Sequence, residues 1–104
     1  MTIKHCVVHR NDVYSQAKRR DKRRELELSK RAKAAQRTID NLINNKTPNL
    51  HLFDDEDPEV VGDYFNRGDQ VILYGAYRKI CLAAAGDSLT HKGIKFIYHP
   101  QGCI

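Results

Sequence analysis

Seven consecutive residues, Lys18-Arg19-Arg20-Asp21-Lys22-Arg23-Arg24, offer six cations against one anion. No apolar side chain interrupts them. Four of the cations are arginine, whose planar fork of donors matches phosphate oxygens and guanine edges. A charge run is ordinarily a solvated helical face. This one lacks the alternating signs that lace such a face with i,i+4 ion pairs. The chemistry it suits is the neutralisation of a polyanion, with an affinity that falls steeply as salt rises.

Other residue sets carry weaker chemistry. Cys6-x-x-His9 and His99-x-x-x-Cys103 have ligand-like spacing, and four N/S ligands are what structural zinc requires. The two pairs stand at opposite ends of the chain, so buried thiols and surface imidazoles are the simpler reading. No metal and no cofactor is assigned. Asp54-Asp55-Glu56-Asp57 lacks the alternating spacing of a calcium loop. It reads as helix-start charge or as a patch for a basic partner. There is no glycine-rich phosphate loop, no Ser/His/Asp set in recognisable context and no carboxylate pair in an apolar setting. An enzyme is not expected, nor a small-molecule substrate. Three scattered cysteines, Cys6, Cys81 and Cys103, argue for reduced thiols.

The elements that must position the basic run follow from composition. The chain has 104 residues and a net charge of +5. Residues 1–46 hold 13 Lys/Arg and 5 Asp/Glu, whereas residues 47–104 hold 5 and 8. A basic front and a mildly acidic back suggest an arm for a polyanion and a second part with another task. Residues 1–11 read as an extended segment or short strand. Residues 12–46 lack Gly and Pro up to the turn formers at 44–49 and read as one long basic helix, capped by Asn11 or Asp12. Its front, 15–31, is the binding arm. Its rear, 28–43, spaces Leu28, Ala32, Ala35, Ile39 and Leu42 as a narrow apolar seam, for docking on the rest of the chain or on a partner.

Residues 47–104 read as a small acidic-to-neutral partner-binding part. Asp57-Pro58-Glu59 predicts a short helix over 58–66. Asp69 could cap a helix over 70–85 closed by Gly86, with Val71, Tyr74, Arg78, Cys81 and Ala85 on one stripe. A strand over 70–74 competes, since Val-Ile-Leu-Tyr is β-prone. Residues 94–98 form the clearest strand, able to pair with 3–8. The predicted class is mostly α: one long N-terminal basic helix plus a small α(+β) C-terminal part, partly disordered without its partner. No signal peptide and no transmembrane run is read, so the expected location is the cytoplasm, that of the host if the chain is phage-encoded.

The arginine run carries a resemblance. Arg19-Arg20-Asp21-Lys22-Arg23-Arg24, entered through Gln16-Ala17-Lys18 and followed by Leu26 and Leu28, resembles the arginine-rich motif of lambdoid phage N proteins, the transcription antiterminators. The match covers about twenty residues and includes the opening Met1-Thr2-Ile3. A weaker echo lies at Leu73-Tyr74-Gly75-Ala76-Tyr77-Arg78-Lys79. The resemblance implies that the arm binds a nascent RNA hairpin. Arg19, Arg20, Arg23 and Arg24 would contact phosphates, and Lys18 and Lys22 would add charge. Gln16 and Ala17 stand where the family favours a small residue close to the RNA. Arg31 stands where the best-known member stacks a Trp on the loop. The resemblance also implies that the remainder engages host RNA polymerase and Nus-type elongation factors. Two other classes stay open. One is a small phage or bacterial protein that inhibits or remodels a host complex by direct contact. The other is a basic-region binder of duplex DNA, although the apolar seam is short for a zipper.

Overall fold

The computed structural model describes residues 2–18 and 25–104. Its elements run β1 (Thr2–Val8), α1 (Arg10–Lys18), α2 (Glu25–Asn44), β2 (Leu50–Phe53), a 3-10 helix (Pro58–Tyr64), β3 (Asp69–Gly75), α3 (Cys81–His91) and β4 (Lys95–Cys103). The four strands form one sheet in the order β2-β1-β3-β4. Every neighbouring pair is parallel. The architecture is α/β, which overturns the expectation of a mostly α chain built on one long helix.

The side chains explain the layers. On one face of the sheet, Cys6, Val8, Val71 and Leu73 pack with Leu82, Ala85 and Leu89 of α3 and Val61 of the 3-10 helix. On the other, Val7 and Tyr74 pack with Val13 and Ala17 of α1 and Ala32, Ala35 and Ile39 of α2. Alternate residues of β1 and β3 thus serve opposite cores, and strands buried on both faces need near-continuous apolar runs. From the centre, the chain steps outward from β1 to β2 in one direction and from β3 to β4 in the other. Right-handed crossovers then place the intervening helices on opposite faces, as found.

The long helix fails on geometry. The Tyr14 hydroxyl donates to Asp40 Oδ1, 26 residues away in sequence. One straight helix would separate them by about 39 Å at 1.5 Å per residue. α1 and α2 instead fold onto one another, and Tyr14 is pushed up to about 12 by burial and by its bond to Asp40. α1 opens at Arg10 rather than at Asn11 or Asp12, with the Asp12 N–H donating to the His9 carbonyl at 3.0 Å.

Residues 69–75 form a strand, not the first half of a helix, so the stripe Val71, Tyr74, Arg78, Cys81 and Ala85 does not exist. β propensity and pairing with β1 decide this segment. Gly86 lies inside α3 and does not end it. A Cβ there would sit 2.7 Å from Phe96 Cζ, so the glycine lets helix and sheet approach closely. The short helix after Asp57 is 3-10, and the Asp57 side chain accepts from the Glu59 N–H at 3.0 Å. β4 is longer than its expected core and pairs with β3; β3 lies between it and β1. Residues 47–104 are therefore no separate part: β1 is the strand on which β2 and β3 both pair. No described helix is long and apolar enough to cross a membrane.

Candidate functional site

Two surfaces gather polar side chains. The first is the exposed face of α2. Its inward stripe, Leu28, Ala32, Ala35, Ile39 and Leu42, is taken up by this chain's own core: the two alanines and Ile39 are fully buried, and the two leucines pack against them. The periodicity that buries those five leaves Lys30, Arg31, Lys33 and Arg37 exposed. None of these cations forms an ion pair with another described residue; those pairs are Lys4–Asp69, Arg10–Asp54 and Lys92–Asp63. Between α2 and the end of β4 runs a groove of about 500 Å³, lined by Arg31, Arg37, Thr38 and Asn41 on one side and Pro100 and Gln101 on the other.

The sequence-derived binding residues divide. Arg19, Arg20, Lys22, Arg23 and Arg24 lie outside the described residues. Lys18 is the exposed last residue of α1. Arg31 is exposed and lines the groove. Gln16 and Ala17 face the fold: the Gln16 amide donates to the Tyr77 hydroxyl at 3.0 Å, and Ala17 is buried in the core. Lys30, Lys33 and Arg37 escaped the sequence reading. They sit on the polar side of the recognised seam, so their shared face was legible from the same 3.6-residue period.

The second surface is the carboxyl edge of the sheet. β1 and β3 are neighbours whose crossovers leave in opposite directions, and in open α/β sheets ligands bind in the crevice at such a switch point. The edge after β1 carries His9 in the left-handed region, at φ 52°, and Arg10. Arg10 Nη2 bonds Asp54 Oδ2, just past β2, at 2.9 Å. β3 ends at Gly75, and past it come Ala76 and Tyr77, joined by a cis peptide. Gly75 has φ 115°, and a Cβ there would fall 1.8 Å from the Val8 carbonyl oxygen, so only glycine lets the two central strands end side by side. Cys81 opens α3 on this edge. Among the described residues, the buried side-chain atoms without a hydrogen-bond partner are Arg10 Nε, Gln16 Oε1 and Asp54 Oδ1. All three belong to residues of this edge or of α1, which rises from it.

The zinc candidates do not assemble. Cys6 lies in the middle of β1, fully buried, with its thiol pushed far up by burial. Cys103 sits at the end of β4 and donates to the Leu73 carbonyl at 3.1 Å. His9 Nδ1 lies 3.3 Å from the Asp54 carbonyl oxygen. His99 stacks on Tyr74 at 5.0 Å between ring centres. No group of three or more potential metal ligands occurs among the described residues.

His99 belongs to a different cluster. The Tyr74 hydroxyl and His5 Nδ1 are 2.8 Å apart, and Tyr74 links the two imidazoles. Burial holds both histidines below their ordinary value, and for His5 the nearby His99 adds to the effect.

In comparisons with known proteins, no family model, no curated protein and no solved structure matches this chain. The functional reading therefore rests on the residues and their geometry.

Proposed function

We propose that this protein binds RNA, gripping a stem-loop through the arginine-rich run and the exposed basic face of α2, and that it serves as a transcription antiterminator on host polymerase. The observation that supports the binding is the set Lys30, Arg31, Lys33 and Arg37: four exposed cations, unpaired with other described residues, on the helix that follows the six cations of 18–24. An uncompensated basic face attracts a polyanion without first breaking internal ion pairs. Antitermination rests on the paired arginines of the N-like motif.

The test is a gel-shift titration against a stem-loop RNA, its unstructured scramble and a DNA duplex of the same stem, at low and moderate salt. Hairpin-selective binding that survives moderate salt is expected. Equal weak binding of all three, lost with salt, overturns the reading and turns the search to a protein partner. In a reporter, replacing Arg19, Arg20, Arg23 and Arg24 by Ala should abolish terminator read-through. Unchanged read-through removes the antiterminator role.

A second reading is favoured by two buried, unpartnered polar atoms at the carboxyl edge, Arg10 Nε and Asp54 Oδ1. There the switch-point crevice would take a small polar ligand that accepts from Arg10 Nε and donates to Asp54 Oδ1, with Cys81 as the thiol on the same edge. Thermal-shift screening with inorganic phosphate, nucleoside monophosphates and small carboxylates checks it. A stabilisation lost in Arg10→Ala supports it, and no shift with any of them rejects it.

A further inference from the structure

The groove between α2 and β4 has a composition that the basic face alone does not explain. Its helical wall is a stripe of Arg31, Ala34, Thr38 and Asn41, spaced 3, 4 and 3 residues apart, and its strand wall carries Pro100 and Gln101. The Thr38 hydroxyl bonds the Ala34 carbonyl at 2.9 Å, so it is turned back on its own helix. With Ala34 and Pro100 this leaves a largely apolar middle. The side-chain amides of Asn41 and Gln101 make no hydrogen bond to another described residue. Amide side chains offer a donor and an acceptor together, the pattern that reads base edges. Arg31 and Arg37 flank the groove about 9 Å apart along the helix axis, far enough for successive phosphates of one strand. The groove begins at Arg31, seven residues after the last arginine of the run in sequence. At about 500 Å³ it falls in the range of small-ligand sites.

We propose that this groove holds an unpaired nucleotide next to the stem that the basic run grips. Its base lies between Ala34 and Pro100, Asn41 and Gln101 read its edge, and Arg31 and Arg37 take the flanking phosphates. This inference rests on the RNA reading above and adds to it a second, base-reading contact. Sequence-specific RNA recognition falls on unstacked bases of loops and ends, for which a stem-gripping helix has no pocket.

The experiment is fluorescence anisotropy with the full chain and two RNAs, a blunt stem-loop and the same stem-loop with a single-stranded tail of each base in turn. The tail should tighten binding roughly ten-fold, the scale of one stacked and read base, and one base should be preferred. The double variant Asn41→Ala, Gln101→Ala should lose both the gain and the preference while binding the blunt stem-loop as before. A tail that adds nothing, or a double variant that keeps the gain, overturns the groove and leaves the RNA reading standing. No binding of either RNA overturns both. Photocrosslinking of a 4-thiouridine tail to the unaltered protein gives a measurement free of any folding defect. A crosslink in the peptide holding Pro100 and Gln101 supports the inference, and one confined to other segments overturns it.

Discussion

His5, Tyr74 and His99 show how a few side chains couple stability to pH. Both imidazoles are held below their ordinary value by burial. The folded state thus binds fewer protons than the unfolded chain near pH 6.5. The stability they contribute is present above that pH and is lost as pH falls through it. We expect the melting temperature to drop between pH 7.5 and 5.5, and His99→Gln to flatten that drop. An equal slope in the variant would exonerate the cluster. Gly75 gives a second prediction. Left-handed strain alone costs about 1 kcal/mol, and the Val8 carbonyl leaves no room for a Cβ. Gly75→Ala should therefore destabilise by well over that amount in urea melts. Neither effect was legible in the sequence. His5 and His99 stand at opposite ends of the chain, and the constraint on Gly75 comes from a strand distant in sequence.

Among the elements, α2 is the one whose periodicity could be read most fully. The stripe 28, 32, 35, 39 and 42 was visible, and with it the choice between docking on this chain and docking on a partner. The structure places it on α1 and the sheet. Ile39→Ala should accordingly cost the isolated protein about 2–5 kcal/mol, the usual range for a fully buried aliphatic residue. Chemical denaturation would measure this, and a near-zero cost would return the seam to a partner. The strand at 69–75 was harder. Val-Ile-Leu-Tyr suits either period, and only the presence of β1 beside it decides. A local pattern cannot report a neighbour some sixty residues away, which is also why a parallel sheet went unseen. Its strands, apolar on both sides, give no alternation to count.

For the whole molecule, the division into an arm and a separate back half was misleading because charge and fold partition differently. The charge boundary near residue 46 is real in composition. Yet β1 lies before it and both its partners after it. A fragment of residues 47–104 loses a central strand and the layer formed by α1 and α2. It should show no cooperative unfolding by circular dichroism, and adding residues 1–46 in trans is the natural rescue. A cooperative melt of the fragment alone would contradict the sheet order. The candidate surface was partly legible: Arg31 was named from the sequence, whereas the groove it lines needed α2 laid beside the end of β4.

The place of β1 also bears on how the chain folds. Its first strand cannot complete its hydrogen bonds until residues 69–75 have been synthesised, because its longest ladder is with them. Sheets closed by such distant pairings are slow to form. During synthesis, the arginine-rich run leaves the ribosome well before the strand that completes the centre of the sheet. For that interval a nascent basic segment stands beside a cell's RNA with no finished domain behind it. Any contact that segment makes in the interval rests on its charge, because the groove between α2 and β4 does not yet exist.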